Sequence, residues 1–90
     1  MKEVMKKVIQ EVMPWCDQQV LRTGKGHTPL PVLMGTVYDL PTDTWHITIH
    51  ARKEGERRYT KALVRWKIPS SEPWTVDELK EAVTKILTAG

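Results

Sequence analysis

Ninety residues with a formal net charge of +3 and 28% charged side chains describe one small domain, and exclude both a multidomain enzyme and a strongly polybasic tail. A single cysteine, Cys16, excludes an internal disulfide framework. No apolar run approaches the roughly 18 residues that a membrane span requires, and Lys and Glu interrupt the apolar pattern from Met1 to Val12, unlike the core of a signal peptide. The expectation is a cytoplasmic protein with no membrane partner.

A chain of this length buries only about 60 to 65% of the surface its unfolded form exposes, so every large apolar side chain counts. There is no Phe, and the four Trp residues (Trp15, Trp45, Trp66 and Trp74) are expected to organise the interior.

Apolar residues at 1, 4, 5, 8, 9, 12 and 13 mark one broad face of an amphipathic helix, with Lys2, Glu3, Lys6, Lys7, Gln10 and Glu11 opposite. Pro14 kinks this helix, or ends it and starts a short second one running to Arg22, with Gly24 as the stop. Two Gly and two Pro between Gly24 and Pro31 indicate a loop leading into extended chain.

Val32 to Tyr38, Trp45 to Lys53 and Glu56 to Ile68 are rich in Val, Ile, Thr, Tyr and Trp and read as strands. A two-residue turn at Glu54-Gly55 would set His50 opposite Tyr59, Thr48 opposite Lys61 and His46 opposite Leu63 on one face. Ile49, Ile47 and Trp45 would then meet Thr60, Ala62 and Val64 on the other. If Tyr38 pairs with Thr44 across Asp39 to Asp43, then Leu33, Gly35 and Val37 join the apolar face. Val32, Met34, Thr36 and Tyr38 join the polar one.

The last element has the clearest signature: Thr75 as N-cap, Glu78 three residues on, and Trp74 with Leu79 as the flanking hydrophobic pair. Val76, Leu79, Ala82, Val83, Ile86 and Leu87 form its apolar stripe. The expected fold class is α+β, a three-stranded antiparallel meander between N-terminal and C-terminal helices in the order α-β-β-β-α. It forms one domain over residues 1–90, helical over 1–22, a loop over 24–31, sheet over 32–68 and helix over 75–88.

Candidate chemistry is sparse. His46 and His50 have the four-residue spacing of a helical zinc pair, but four residues along a strand span about 13 Å, and no Cys, Asp or Glu cluster completes a site. Cys16 beside Asp17 reads as a small buried side chain, Ser70 and Ser71 as turn residues, and Gly24-Lys25-Gly26 lacks the spacing of a phosphate-cradling loop. The expectation is a protein that is not an enzyme and uses no metal or cofactor.

The polar sheet face carries the most content: Thr36, Tyr38, His46, Thr48, His50, Arg52, Arg57, Tyr59, Lys61 and Arg65, with no acid among them. Cations that neutralise phosphates, with Arg or His able to meet base edges, point to a small regulatory or accessory protein that binds nucleic acid, DNA before RNA. The residues expected to carry binding are Arg52, Arg57, Tyr59, Lys61, Arg65, His50 and Thr48. The competing expectation is a protein-binding module, such as a phage- or mobile-element-type inhibitor or adaptor acting on a host protein. It would use an apolar patch of Val32, Met34 and Leu63. Homodimerisation through the helix of residues 1–13 is compatible with both.

The element order resembles that of double-stranded RNA-binding domains, and the three strands followed by a helix resemble the sheet-reading DNA modules of some integrases and plant transcription factors. The RNA-binding family places a basic cluster at the start of its last helix. Here that stretch is Thr75-Val76-Asp77-Glu78-Leu79-Lys80, so the family's phosphate-binding residues have no counterpart and no family is assigned.

Overall fold

The computed structural model describes residues 2–22 and 28–88. Its elements are α1 (Lys2–Cys16), β1 (Val20–Leu21), β2 (Leu30–Asp39), β3 (Thr44–Ala51), β4 (Lys61–Pro69) and α2 (Val76–Thr88). The class is α+β, with one antiparallel sheet in the strand order β1-β2-β3-β4. The sheet has four strands where three were expected.

The additional strand corrects the reading of residues 14–22. Helix α1 continues through Pro14 for two residues to Cys16, tolerating the missing amide because only its last turn is affected. A second helix to Arg22 does not form. Val20 and Leu21 instead pair with Pro31 and Leu30, which buries Leu21 and extends β2 towards residue 30. The expected stop at Gly24 and most of the glycine-rich part of the loop lie outside the described residues.

Met5, Ile9, Val12 and Cys16 of α1 and Leu79, Val83 and Leu87 of α2 form a single buried cluster with Val32, Met34, Trp45, Ile47, Ile49, Ala51 and Ile68 of the sheet. Both helices therefore cover the same sheet face. The inner stripe of α1, Met5, Ile9, Val12 and Cys16, packs within its own chain. At the start of α2, the Glu78 amide donates to Thr75 Oγ1 and the Thr75 amide to Glu78 Oε1, both at 3.1 Å, which completes the capping box. Trp74 packs at the core margin, its ring centroid 5.6 Å from that of Trp66.

Two connections set the registers. Between β2 and β3, Asp39 pairs with Thr44 and Tyr38 with Trp45, one residue away from the expected Tyr38 and Thr44 pair. Asp43 adopts a left-handed backbone (φ 50°), a conformation that Asp tolerates, and so closes the turn over Leu40 to Asp43. Its carboxylate accepts the Tyr38 hydroxyl, and that of Asp39 accepts the Thr42 hydroxyl. The bond from Tyr38 holds the Asp43 carboxyl below its ordinary pKa and, reciprocally, raises that of the Tyr38 hydroxyl.

A one-residue slip exchanges the faces of a strand. Val32, Met34, Thr36 and Tyr38 lie on the helix side, with Val32 and Met34 in the core. Leu33, Gly35, Val37 and Asp39 lie on the other. The apolar patch expected from Val32, Met34 and Leu63 is thus not a surface: the first two are buried, and Leu63 is half-buried against the core.

Between β3 and β4, the Glu54-Gly55 turn is present, with Gly55 at φ 83° and the Glu56 amide donating to the Lys53 carbonyl. Regular pairing nevertheless stops at Ala51 and Lys61, so residues 52–60 form a longer connection. Beyond a bulge at Ile49/His50, Ile49 faces Val64, Ile47 faces Trp66 and Trp45 faces Ile68. This register places Val64, Trp66 and Ile68 against the helices, where the shorter hairpin would have spent those positions on Thr60, Ala62 and Val64. The additional apolar burial accounts for the shift.

Candidate nucleic-acid interface

Because both helices lie on the Trp45, Ile47 and Ile49 face, no described element packs on the opposite face of β2, β3 and β4. Strand alternation and the two registers arrange that face as rows. Asp39, Thr44 and Pro69 form the end row, followed by Val37, His46 and Lys67, then Gly35, Thr48 and Arg65, and last Leu33, His50 and Ala62. Across the middle rows the surface changes from Val37 and Gly35 on β2 to His46 and Thr48 on β3 and to Lys67 and Arg65 on β4.

A shallow cleft of about 610 Å³ lies over the middle rows, lined by Gly35, Val37, Asp39, His46, Thr48, His50 and Arg65 among others. Gly35 makes room for it. A Cβ there would stand 2.9 Å from Thr48 Oγ1, and the Thr48 hydroxyl, within 3.4 Å, donates to the Gly35 carbonyl. Arg65 and Lys67 are exposed, Leu33 and Val37 are 40% and 66% exposed, and His46, Thr48 and His50 are half-buried between those columns.

Of the residues expected to bind, the structure brings Thr48, His50 and Arg65 together on this face. Arg52, Arg57 and Tyr59 belong instead to the 52–60 connection, where the Arg52 guanidinium carbon lies 5.8 Å from the centroid of the Tyr59 ring. Lys61 opens β4 opposite Ala51, exposed at the end of the sheet and not beside Thr48. By alternation Thr36 and Tyr38 pass to the helix side, opposite Ile47 and Trp45, although Thr36 still borders the cleft. Asp39 enters the face, so it has an acid at one end, contrary to the expectation of none.

Lys67 was missed. It lies two residues beyond Arg65, and strand alternation alone was enough to find it. The connection adds more charge: residues 52–61 contain five cations (Arg52, Lys53, Arg57, Arg58 and Lys61) against Glu54 and Glu56. Among the described residues no group of three or more His, Cys, Asp or Glu is placed to hold a metal ion, and no helix is long and apolar enough to cross a membrane.

Comparison with protein-family models found no match, and neither the curated proteins nor the solved structures gave one.

Proposed function

We propose that the chain is a small non-enzymatic nucleic-acid-binding protein that presents the uncovered face of β2, β3 and β4 to its ligand. The observation that carries this reading is the packing of both helices on one side, which leaves Thr48, His50, Arg65, His46 and Lys67 on a sheet surface free of described elements. Arg65 and Lys67, with the cations of the 52–61 stretch, supply the phosphate contacts that position such a protein. Thr48, His46 and His50 supply short polar side chains for base edges. The role is regulatory or accessory.

Fluorescence anisotropy with labelled mixed-sequence DNA and RNA, single- and double-stranded, tests it at low salt. Binding that weakens steeply as salt rises is expected, as counterion release requires. No affinity for any probe at a protein concentration of about 10⁻⁴ M, the weak end of non-specific binding, would contradict it.

A protein ligand is the second reading, favoured by one observation. Leu33 and Val37 are both exposed on the open face, at either side of Gly35 along β2. Isolated exposed apolar residues are common on any surface, so this pair carries less weight than the basic column beside it. Co-purification of a defined protein in nuclease-treated extract, with no affinity for the nucleic-acid probes, would favour it.

A further inference from the structure

The same open face distinguishes between kinds of nucleic acid, and we infer that its ligand is duplex DNA, entered through the major groove. The inference rests on the nucleic-acid reading above and adds the form of the ligand. Proteins that hold single strands do so by stacking bases on exposed aromatic rings. Every strand aromatic here faces the helices: Tyr38 and Trp45 are in tilted contact at 5.1 Å between centroids, and Trp66 packs tilted against Trp74 at 5.6 Å. Tyr59, in the connection, already has Arg52 against its ring. Among the described residues the open face carries no Tyr or Trp ring, and its imidazoles, His46 and His50, are half-buried between the β2 and β4 columns.

It offers shape and charge instead. Strands β3 and β4, about 4.8 Å apart, have the width of the two-stranded ribbon that a B-DNA major groove about 12 Å wide admits, with β2 along one wall. The major groove of duplex RNA is too narrow and deep for side chains to read. With β3 over the groove floor, Thr48, His46 and His50 meet base edges. Arg65 and Lys67 on β4 lie towards the phosphates of one wall, and Leu33 and Val37 on β2 lie towards thymine methyl groups and deoxyribose at the other. Gly35, by keeping the middle row low, leaves the cleft into which a base edge can project. The basic 52–61 stretch extends the electrostatic footprint at the hairpin end.

The experiment compares labelled B-DNA of about 20 base pairs, two helical turns, with its separated strands and with duplex RNA of the same sequence, by anisotropy at one low salt concentration. Duplex DNA is expected to bind about tenfold or more tighter than either. Protection of guanine N7 from methylation should accompany binding, and a minor-groove ligand such as distamycin should not displace the protein. Preference for single strands or for duplex RNA, or displacement by distamycin without N7 protection, overturns the inference and leaves nucleic-acid binding intact. No binding to any probe overturns both. Arg65→Ala with Lys67→Ala, both exposed positions, should weaken duplex binding about tenfold or more with an unchanged circular dichroism spectrum. A double variant that folds and binds as wild type removes β4 from the interface and overturns the docking described.

Discussion

Thr48 and Gly35 face each other across the β2–β3 ladder, and the Thr48 hydroxyl donates to the Gly35 carbonyl within 3.4 Å, leaving no space for a side chain at residue 35. Glycine in a strand ordinarily costs about 0.5–1 kcal/mol relative to alanine. Here that gain is opposed by a contact at 2.9 Å between the added Cβ and Thr48 Oγ1. Gly35→Ala should therefore destabilise the protein by about 1 kcal/mol, and the same substitution should be neutral or stabilising in a Thr48→Ala background. Urea denaturation of the four chains measures the coupling. Equal effects of Gly35→Ala in both backgrounds would separate the two residues.

The face assignment of β2 makes a second, sharper prediction. Met34 is 2% exposed in the core and Val37 is 66% exposed on the open face. Met34→Ala should cost about 2–5 kcal/mol by cavity formation, whereas Val37→Ala should stay within about 0.5 kcal/mol of wild type. Thermal or chemical denaturation checks both. The reverse ranking would restore the register in which Tyr38 pairs with Thr44.

Such contrasts show how far the sequence was readable. The C-terminal helix, with its Thr75 and Glu78 box, was legible because its signals are local and fall within four residues. The apolar alternation of Trp45, Ile47, Ile49 and Ala51 was legible for the same reason. Register was not. The β2–β3 slip depends on Asp43 taking a left-handed backbone, and on Tyr38 reaching it across the turn. The β3–β4 shift depends on burying Ile68 and Trp66 against two helices whose placement is a tertiary fact. Strand β1 was hidden behind a proline that helix α1 tolerates and is too short to show a period of its own. Consequently Thr48, His50 and Arg65 were found as candidates, while Lys67 was missed and Val32 and Met34 were assigned to the wrong side.

The capping box supplies a third prediction. Thr75→Ala removes the acceptor of the Glu78 amide and should cost about 1 kcal/mol, with Thr75→Ser nearly neutral. Because Thr75 is remote in sequence from the basic column and caps a helix on the opposite face, nucleic-acid affinity should not change in the folded variant. Denaturation midpoints together with anisotropy test the separation.

A fourth concerns pH. Cys16 is fully buried at the end of α1, and loss of hydration, with the neighbouring Asp17 carboxylate, pushes its thiol up to about 11. The unfolded chain ionises this thiol near its ordinary pKa while the folded chain keeps the proton, so the unfolded state binds fewer protons through that window. Stability should fall between roughly pH 9 and 11, with a limiting slope of about 1.4 kcal/mol per pH unit from this group. Cys16→Ala should show a flatter profile over the same range. The native thiol should also resist iodoacetamide at neutral pH and react only on unfolding. Rapid alkylation of the folded protein would place Cys16 at the surface.

Binding by the open face is most directly tested by the salt dependence of duplex DNA affinity in wild type and in Arg65→Ala. The wild-type plot of log K against log salt should be steep and linear, and the variant, still folded, should bind more weakly with a slope shallower by about 1, the signature of one lost phosphate contact. A flat wild-type plot, or a folded Arg65→Ala protein with the wild-type slope and affinity, would contradict the assignment of this face to nucleic acid.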